Sequence, residues 1–152
     1  MKNNVFRLTI FIAAIILLAL SCTGTKTLND VSDKENEAFH KTKGDTITIA
    51  DDESDYEIII IEPGFNFWLQ SIAKSEGYYS QNYLENRNAI WVLEWNQRVQ
   101  QPQRFDPNLY EMSINYNSFT DYGYEVNYKL YNYFIYFQRK YNQRLGSFYP
   151  RI

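Results

Sequence analysis

Of the chain's 27 aromatic residues, 24 fall between Tyr56 and Tyr149, leaving only Phe6, Phe11 and Phe39 outside. That crowding limits what the segment can become. A unit of this length buries a modest share of its surface, so the quality of its core decides whether it folds. Large rings supply apolar area, and the Tyr hydroxyls and Trp N–H groups then need polar partners close by. No repeat at a solenoid period and no heptad run accompanies the rings. The expectation is one small aromatic-rich domain over residues 56–149.

The pattern within it reads as α+β. Glu57 to Ile61 is a β-branched run stopped by Pro63-Gly64, which predicts a strand and a turn. Thr46 to Ile49 alternates and is a possible additional strand. Phe65, Trp68, Leu69 and Ile72 recur at spacings of three and four, giving a short helix over Asn66 to Lys74 with Gly77 as its cap. Ser80 is placed to cap a second helix through Leu84, Trp91, Trp95 and Val99, although Ala89 to Trp95 alone also reads as a strand. Tyr110, Met112, Ile114 and Tyr116 alternate with polar residues and predict another strand, pairing with Ile58 to Ile61. Val126, Leu130, Tyr133, Phe134, Phe137, Tyr141 and Leu145 follow helical spacing to Gly146. A short two- or three-stranded sheet packed against two or three helices satisfies these patterns.

Ahead of the domain, residues 1–21 have the three parts of an export signal: basic Lys2 and Arg7, apolar Leu8 to Leu20, and small Ser21. The uncharged run from Leu8 to Ser21 is 14 residues, against the roughly 20 that a membrane span needs. Leu18-Ala19-Leu20-Ser21 before Cys22, the only cysteine, resembles the lipobox of a bacterial lipoprotein signal, with Ala19 where leucine is commonest. The resemblance implies diacylation of Cys22, loss of the preceding peptide and a further chain on the new amino terminus. Two or more chains make anchoring stable. An ordinary secretory signal with an incidental cysteine is the alternative. Residues 22–55 are polar and charge-mixed and read as a flexible tether of about 30 Å reach, within which His40, the only histidine, is expected to be solvated.

Cleavage removes Lys2 and Arg7 and no acid, leaving 13 basic against 18 acidic residues. Such a balance offers no footprint for nucleic acid and no polybasic patch for anionic lipid. With Cys22 acylated, no disulfide forms within the chain. Thr23 in place of Asp after the anchor lacks the inner-membrane retention cue known from some lipoproteins, which favours the periplasmic face of the outer membrane.

Several stretches carry a wider likeness: Glu62-Pro63-Gly64-Phe65, Gly77-Tyr78-Tyr79-Ser80-Gln81, Tyr83-Leu84-Glu85-Asn86-Arg87-Asn88, Glu94-Trp95-Asn96 with Arg98-Val99, Asp121 to Tyr128 and Leu130 to Phe134. Over Tyr56 to Leu145 the chain resembles a family of small uncharacterised lipoproteins from Bacteroidetes-type bacteria. The resemblance implies compartment and domain extent, and no functional residue follows from it.

Chemistry is narrowed by missing parts. From Tyr56 onward there is no Cys and no His, which removes thiol nucleophiles, histidine triads and the usual zinc ligands. The glycines are scattered, so no phosphate-cradling loop is expected. No catalytic residue, metal or cofactor is assigned. Carboxylate chemistry on a glycan remains, with Glu85, Glu94, Glu111, Asp121 and Glu125 as the available acids, set against their ordinary role as surface or ion-pair residues. Two binding surfaces compete with it. Arg87, Trp91, Trp95 and Arg98 lie three or four apart on the second helix and suit a protein interface. Tyr124, Asn127 and Tyr131 lie off the last helix's core stripe of Tyr133, Phe137 and Tyr141, and suit stacking and hydrogen bonding to a glycan. Core packing is the plain alternative for every one of these rings. The resulting expectation is a lipid-anchored envelope protein with a non-enzymatic binding or structural role, or else a glycan-binding or glycan-cleaving one.

Overall fold

Ser80 starts the longest of the described helices: its hydroxyl accepts from the Tyr83 N–H at 3.3 Å, as an N-cap should. In the computed structural model, which describes residues 31–41, 46–50 and 57–152, four helices form the body. They are α1 (Asp33–Phe39), α2 (Phe65–Ser71), α3 (Gln81–Val99) and α4 (Gly123–Lys140). An antiparallel pair, β1 (Thr46–Ala50) and β2 (Glu57–Ile61), lies between α1 and α2 with Thr46 opposite Ile61. The core residues among those described come from the helices and the loops beside them. The fold is therefore helical, and the expected α+β domain is corrected.

What overturns it is the segment from Tyr110 to Tyr116, which has no strand. At Met112 and Ile114 its backbone bonds to side chains of α3 instead. Asn96 accepts from the Ile114 N–H at 2.8 Å through Oδ1 and donates to the Ile114 carbonyl at 2.9 Å through Nδ2. Trp95 Nε1 donates to the Met112 carbonyl at 2.9 Å. One amide thus does for Ile114 what a neighbouring strand would have done. Tyr110 turns inward against Trp95 and Phe137, while Met112 is exposed.

Helix α4 is the axis of the core, with Val126, Leu130, Phe134 and Phe137 fully or nearly fully buried. It stops at Lys140, earlier than its apolar spacing suggests. Asn142 has φ 49°, a left-handed conformation that ends the helix. Leu145 is still buried, but as part of a returning loop whose N–H donates to Gln138 Oε1 at 2.7 Å.

The segment expected to be a tether contains α1. Ser32 caps this helix, Ala38 is buried in the core, and the ring of Phe39 meets the edge of Tyr136 at 5.2 Å. Glu35 is wholly buried, held by Arg139 of α4 and by Trp68 Nε1 at 3.0 Å. Residues 33–39 thus belong to the folded body. Gly64 makes room for them: its φ is 86°, and a Cβ there would sit 2.5 Å from the Ala38 carbonyl oxygen. Cys22 and the signal region lie outside the described residues. Among those described, no helix is long and apolar enough to cross a membrane.

Candidate functional site

An aromatic cleft opens where the first half of α3, the middle of α4 and the C-terminal loop meet. Its volume is about 420 Å³, and it is lined by Tyr79, Tyr83, Arg87, Trp91, Tyr131, Ser147, Phe148, Tyr149 and Arg151. Steps of four residues put Tyr83, Arg87 and Trp91 on one face of α3. Tyr131 reaches the same space from α4.

The walls are flat and ordered by one another. Tyr79 and Tyr83 stack with centroids 4.8 Å apart and planes 11° from parallel. Trp91 and Tyr131 lie 5.2 Å apart at 32°, and Tyr131 also meets Tyr79 at 5.2 Å. Arg87 lies over the Phe148 ring, 3.4 Å from its centroid, and 5.2 Å from that of Tyr83. The ring faces favour a cation there. Burial, and then hydrogen bonding to Tyr83, holds the Tyr131 hydroxyl well above the ordinary phenol range, and burial raises Tyr79 as well. Both remain neutral O–H groups at physiological pH.

Two polar atoms of the cleft residues are distinctive. Trp91 is 1% exposed and its Nε1 has no hydrogen-bond partner; Arg87 Nη1 is likewise buried and unpartnered. The other two tryptophans donate, Trp68 to Glu35 and Trp95 to Met112. Buried donors are normally paired, so such atoms mark either a cost to the fold or a place for something else to bind.

Of the seven residues put forward for a binding surface, the structure brings Arg87, Trp91 and Tyr131 into this cleft and uses the other four elsewhere. Trp95 is buried against Tyr110 and Phe137. Arg98 donates to the Tyr110 hydroxyl at 2.6 Å and to the Arg144 carbonyl. Asn127 is wholly buried, and its Oδ1 accepts from Asn88 at 3.1 Å and from the Tyr116 hydroxyl at 2.8 Å. Tyr124 shapes the cleft from behind: its hydroxyl accepts from the Gly77 N–H at 2.7 Å and donates to the Tyr79 carbonyl at 3.2 Å. That pair of bonds fixes the loop carrying the Tyr79 ring.

Sequence reasoning missed Tyr79, Tyr83 and the Ser147–Arg151 loop. The stripe at 83, 87 and 91 was readable, one turn earlier than the patch drawn from it. The loop was not, because Pro150 is brought in by a hydrogen bond from Arg139 Nη1 at 3.1 Å.

None of the candidate acids lines the cleft. Glu85 and Asp121 both accept from Gln81 Nε2 at 2.8 Å, and Asp121 also accepts from the Gly123 N–H at 2.9 Å, opening α4. Glu125 pairs with Lys129, and Glu111 is exposed at the surface. His40 is exposed, as expected of a solvated side chain, with its Nδ1 2.7 Å from the Asn36 carbonyl oxygen. No cluster of acids, His or Cys suited to a metal occurs among the described residues.

Residues 10–149 match a family described as "Family of unknown function (DUF6146)". No curated protein and no solved structure matches.

Proposed function

The chain belongs to the DUF6146 family of unknown function, and we propose that it is a non-enzymatic binding module of the cell envelope whose aromatic cleft takes a small ligand. In this reading the protein is a small lipoprotein of Bacteroidetes-type bacteria, acylated at Cys22 and held at the periplasmic face of the outer membrane. The observation that carries the binding role is the cleft itself, lined by the rings of Tyr79, Tyr83 and Phe148 beside the Arg87 guanidinium. A volume of about 420 Å³ lies within the range that accommodates small molecules. The rings offer apolar contact to a ligand.

Glycan cleavage is the weaker reading of the same cleft. Hydrolysis needs two carboxyls flanking the scissile bond, and the lining residues include none. A protein interface on α3 is weaker too, since Trp91 and Trp95 are buried. The eleven residues from Cys22 to Asp33 would reach about 40 Å at full extension, so an anchored cleft would meet ligands close to the membrane.

A ligand screen on the full-length protein in neutral detergent tests the binding role. The chain has three tryptophans, so three indole N–H resonances report on the fold. Neutral, cationic and anionic ring compounds are added in turn. The expected result is that at least one moves the Trp91 signal saturably while Trp68 and Trp95 stay in place. If no compound of any charge does so, the binding reading is wrong.

A further inference from the structure

We propose that α1 is the clasp of the cleft: Glu35 aims Arg139 at the C-terminal strap, so the wall that the strap forms is in place only while α1 is docked. What α1 does to the wall needs no ligand. That it thereby sets ligand affinity rests on the binding role above.

The strap is residues 147–152, a stretch without helix or strand that supplies Ser147, Phe148, Tyr149 and Arg151 to the cleft lining. Its near half has holds of its own. Arg144 Nη2 donates to the Ser147 carbonyl at 2.8 Å, and the same guanidinium lies 4.3 Å from the Tyr149 centroid. Arg87 covers Phe148 at 3.4 Å. The far half turns on Pro150, which is buried and whose carbonyl accepts from Arg139 Nη1 at 3.1 Å.

Arg139 reaches Pro150 because of how Glu35 grips it. Nε and Nη2 are the two prongs on the carboxylate, at 2.5 and 2.6 Å. A guanidinium is planar and rigid, so a grip along that side fixes its plane and leaves Nη1 one direction. Here that direction is the Pro150 carbonyl. The carboxylate is fixed in turn, being wholly buried and receiving Trp68 Nε1 at 3.0 Å. With Ala38 in the core and Phe39 against Tyr136, α1 brings Glu35 in as part of one docked unit. Undocking returns the Arg139 side chain to its rotamers, and the strap loses its far hold.

Helix α1 is also the first described helix after Cys22, so it lies between the proposed anchor and the cleft. By linkage, a ligand that touches the strap tightens the docking of α1 by the same factor that docking raises its affinity.

A buried reporter tests the clasp without a ligand. Pro150→Cys keeps the carbonyl that Arg139 uses and puts a thiol where the side chain is buried. Its labelling rate in the full-length protein in neutral detergent, read on the peptide carrying position 150, tracks how often the strap opens. Arg139→Lys keeps a cation for Glu35 but puts a single ammonium in place of the planar fork. It should raise the rate about tenfold or more, the worth of one hydrogen bond to a charged group. Glu35→Gln removes one prong and should raise it by a similar factor. Asn127→Ala weakens the fold elsewhere and should leave the rate within about twofold, because the strap opens locally. Should Glu35→Gln fail to fold, Glu35→Asp, which draws the carboxylate back by one methylene, takes its place with the same expected rise.

A rate unchanged by Arg139→Lys, or by the Glu35 variant, would overturn the clasp and leave the binding role standing. An equal rise in Asn127→Ala would overturn it too, since the strap would then follow general loosening of the fold. The labelling reads the wall alone, so a silent ligand screen removes the binding role without touching this result.

Discussion

The Glu35 carboxylate receives Arg139 Nε at 2.5 Å and Nη2 at 2.6 Å, fastening α1 to the last turns of α4 across 104 positions of sequence. Trp68 Nε1 donates to the same carboxylate at 3.0 Å. The pair connects three helices through one buried group, so its loss is felt in all three. Glu35→Ala leaves a largely buried guanidinium and an indole N–H without their acceptor. It should lower stability by about 3–5 kcal/mol, measured by urea unfolding, with Glu35→Gln losing less because its carbonyl oxygen still accepts.

A second internal amide joins α3, α4 and the loop between them. Asn127→Ala removes the acceptor of the Tyr116 hydroxyl and one acceptor of Asn88 Nδ2, and also the donor to the Gly123 carbonyl. The expected cost is about 1–3 kcal/mol, visible as a lower urea midpoint with an unchanged slope. A stability equal to the parent's would show that the network is replaced readily by water.

Arg98 separates a structural from an interface role on α3. It supports the 110 and 144 loops through Tyr110 and the Arg144 carbonyl, so Arg98→Ala should cost about 2 kcal/mol. Thermal melting of the variant checks this. An unchanged melt would mean that the residue is kept for something outside the fold.

How much of this was legible depends on where each residue's partner lies. Ser80 as a cap and the stripe from Leu84 to Val99 are local, and α3 follows from them. The central part of α4 is equally local in its spacing. The alternation of Tyr110, Met112, Ile114 and Tyr116 is real, but its cause is attachment to α3 through Trp95 and Asn96, which no period along one segment reveals. Helix α1 was missed for the same reason: a short polar stretch looks solvated until Arg139 supplies a partner for Glu35. In the cleft, the sequence puts Arg87 and Trp91 on one surface and Tyr131 on another, so their meeting was not legible, and Phe148 and Arg151 arrive by a loop whose path depends on long-range bonds.

Alkaline pH should weaken the fold through its tyrosines. Burial, followed by nearby Glu85 and Glu76 respectively, pushes Tyr116 and Tyr128 up from 10.0 to about 12. Between these values the unfolded chain releases protons that the folded state keeps, so stability falls as pH rises through that window. Helicity and tyrosinate absorbance followed together should change in one cooperative step between pH 10 and 12. Tyrosinate appearing near pH 10 with helicity intact would refute this.

Membrane attachment rests on Cys22. Cys22→Ala should move the protein from the membrane fraction to the soluble fraction while its melting profile stays the same. Equal retention in the membrane fraction would remove the lipid anchor from the account.

The position of the bound ligand is the most direct test of the central claim. Intermolecular NOEs between the tightest-binding compound from the screen and the full-length protein should connect its ring protons to Tyr79, Tyr83, Trp91 and Tyr131. Contacts confined to exposed Ile90 and Leu93 on the outer side of α3 would contradict it.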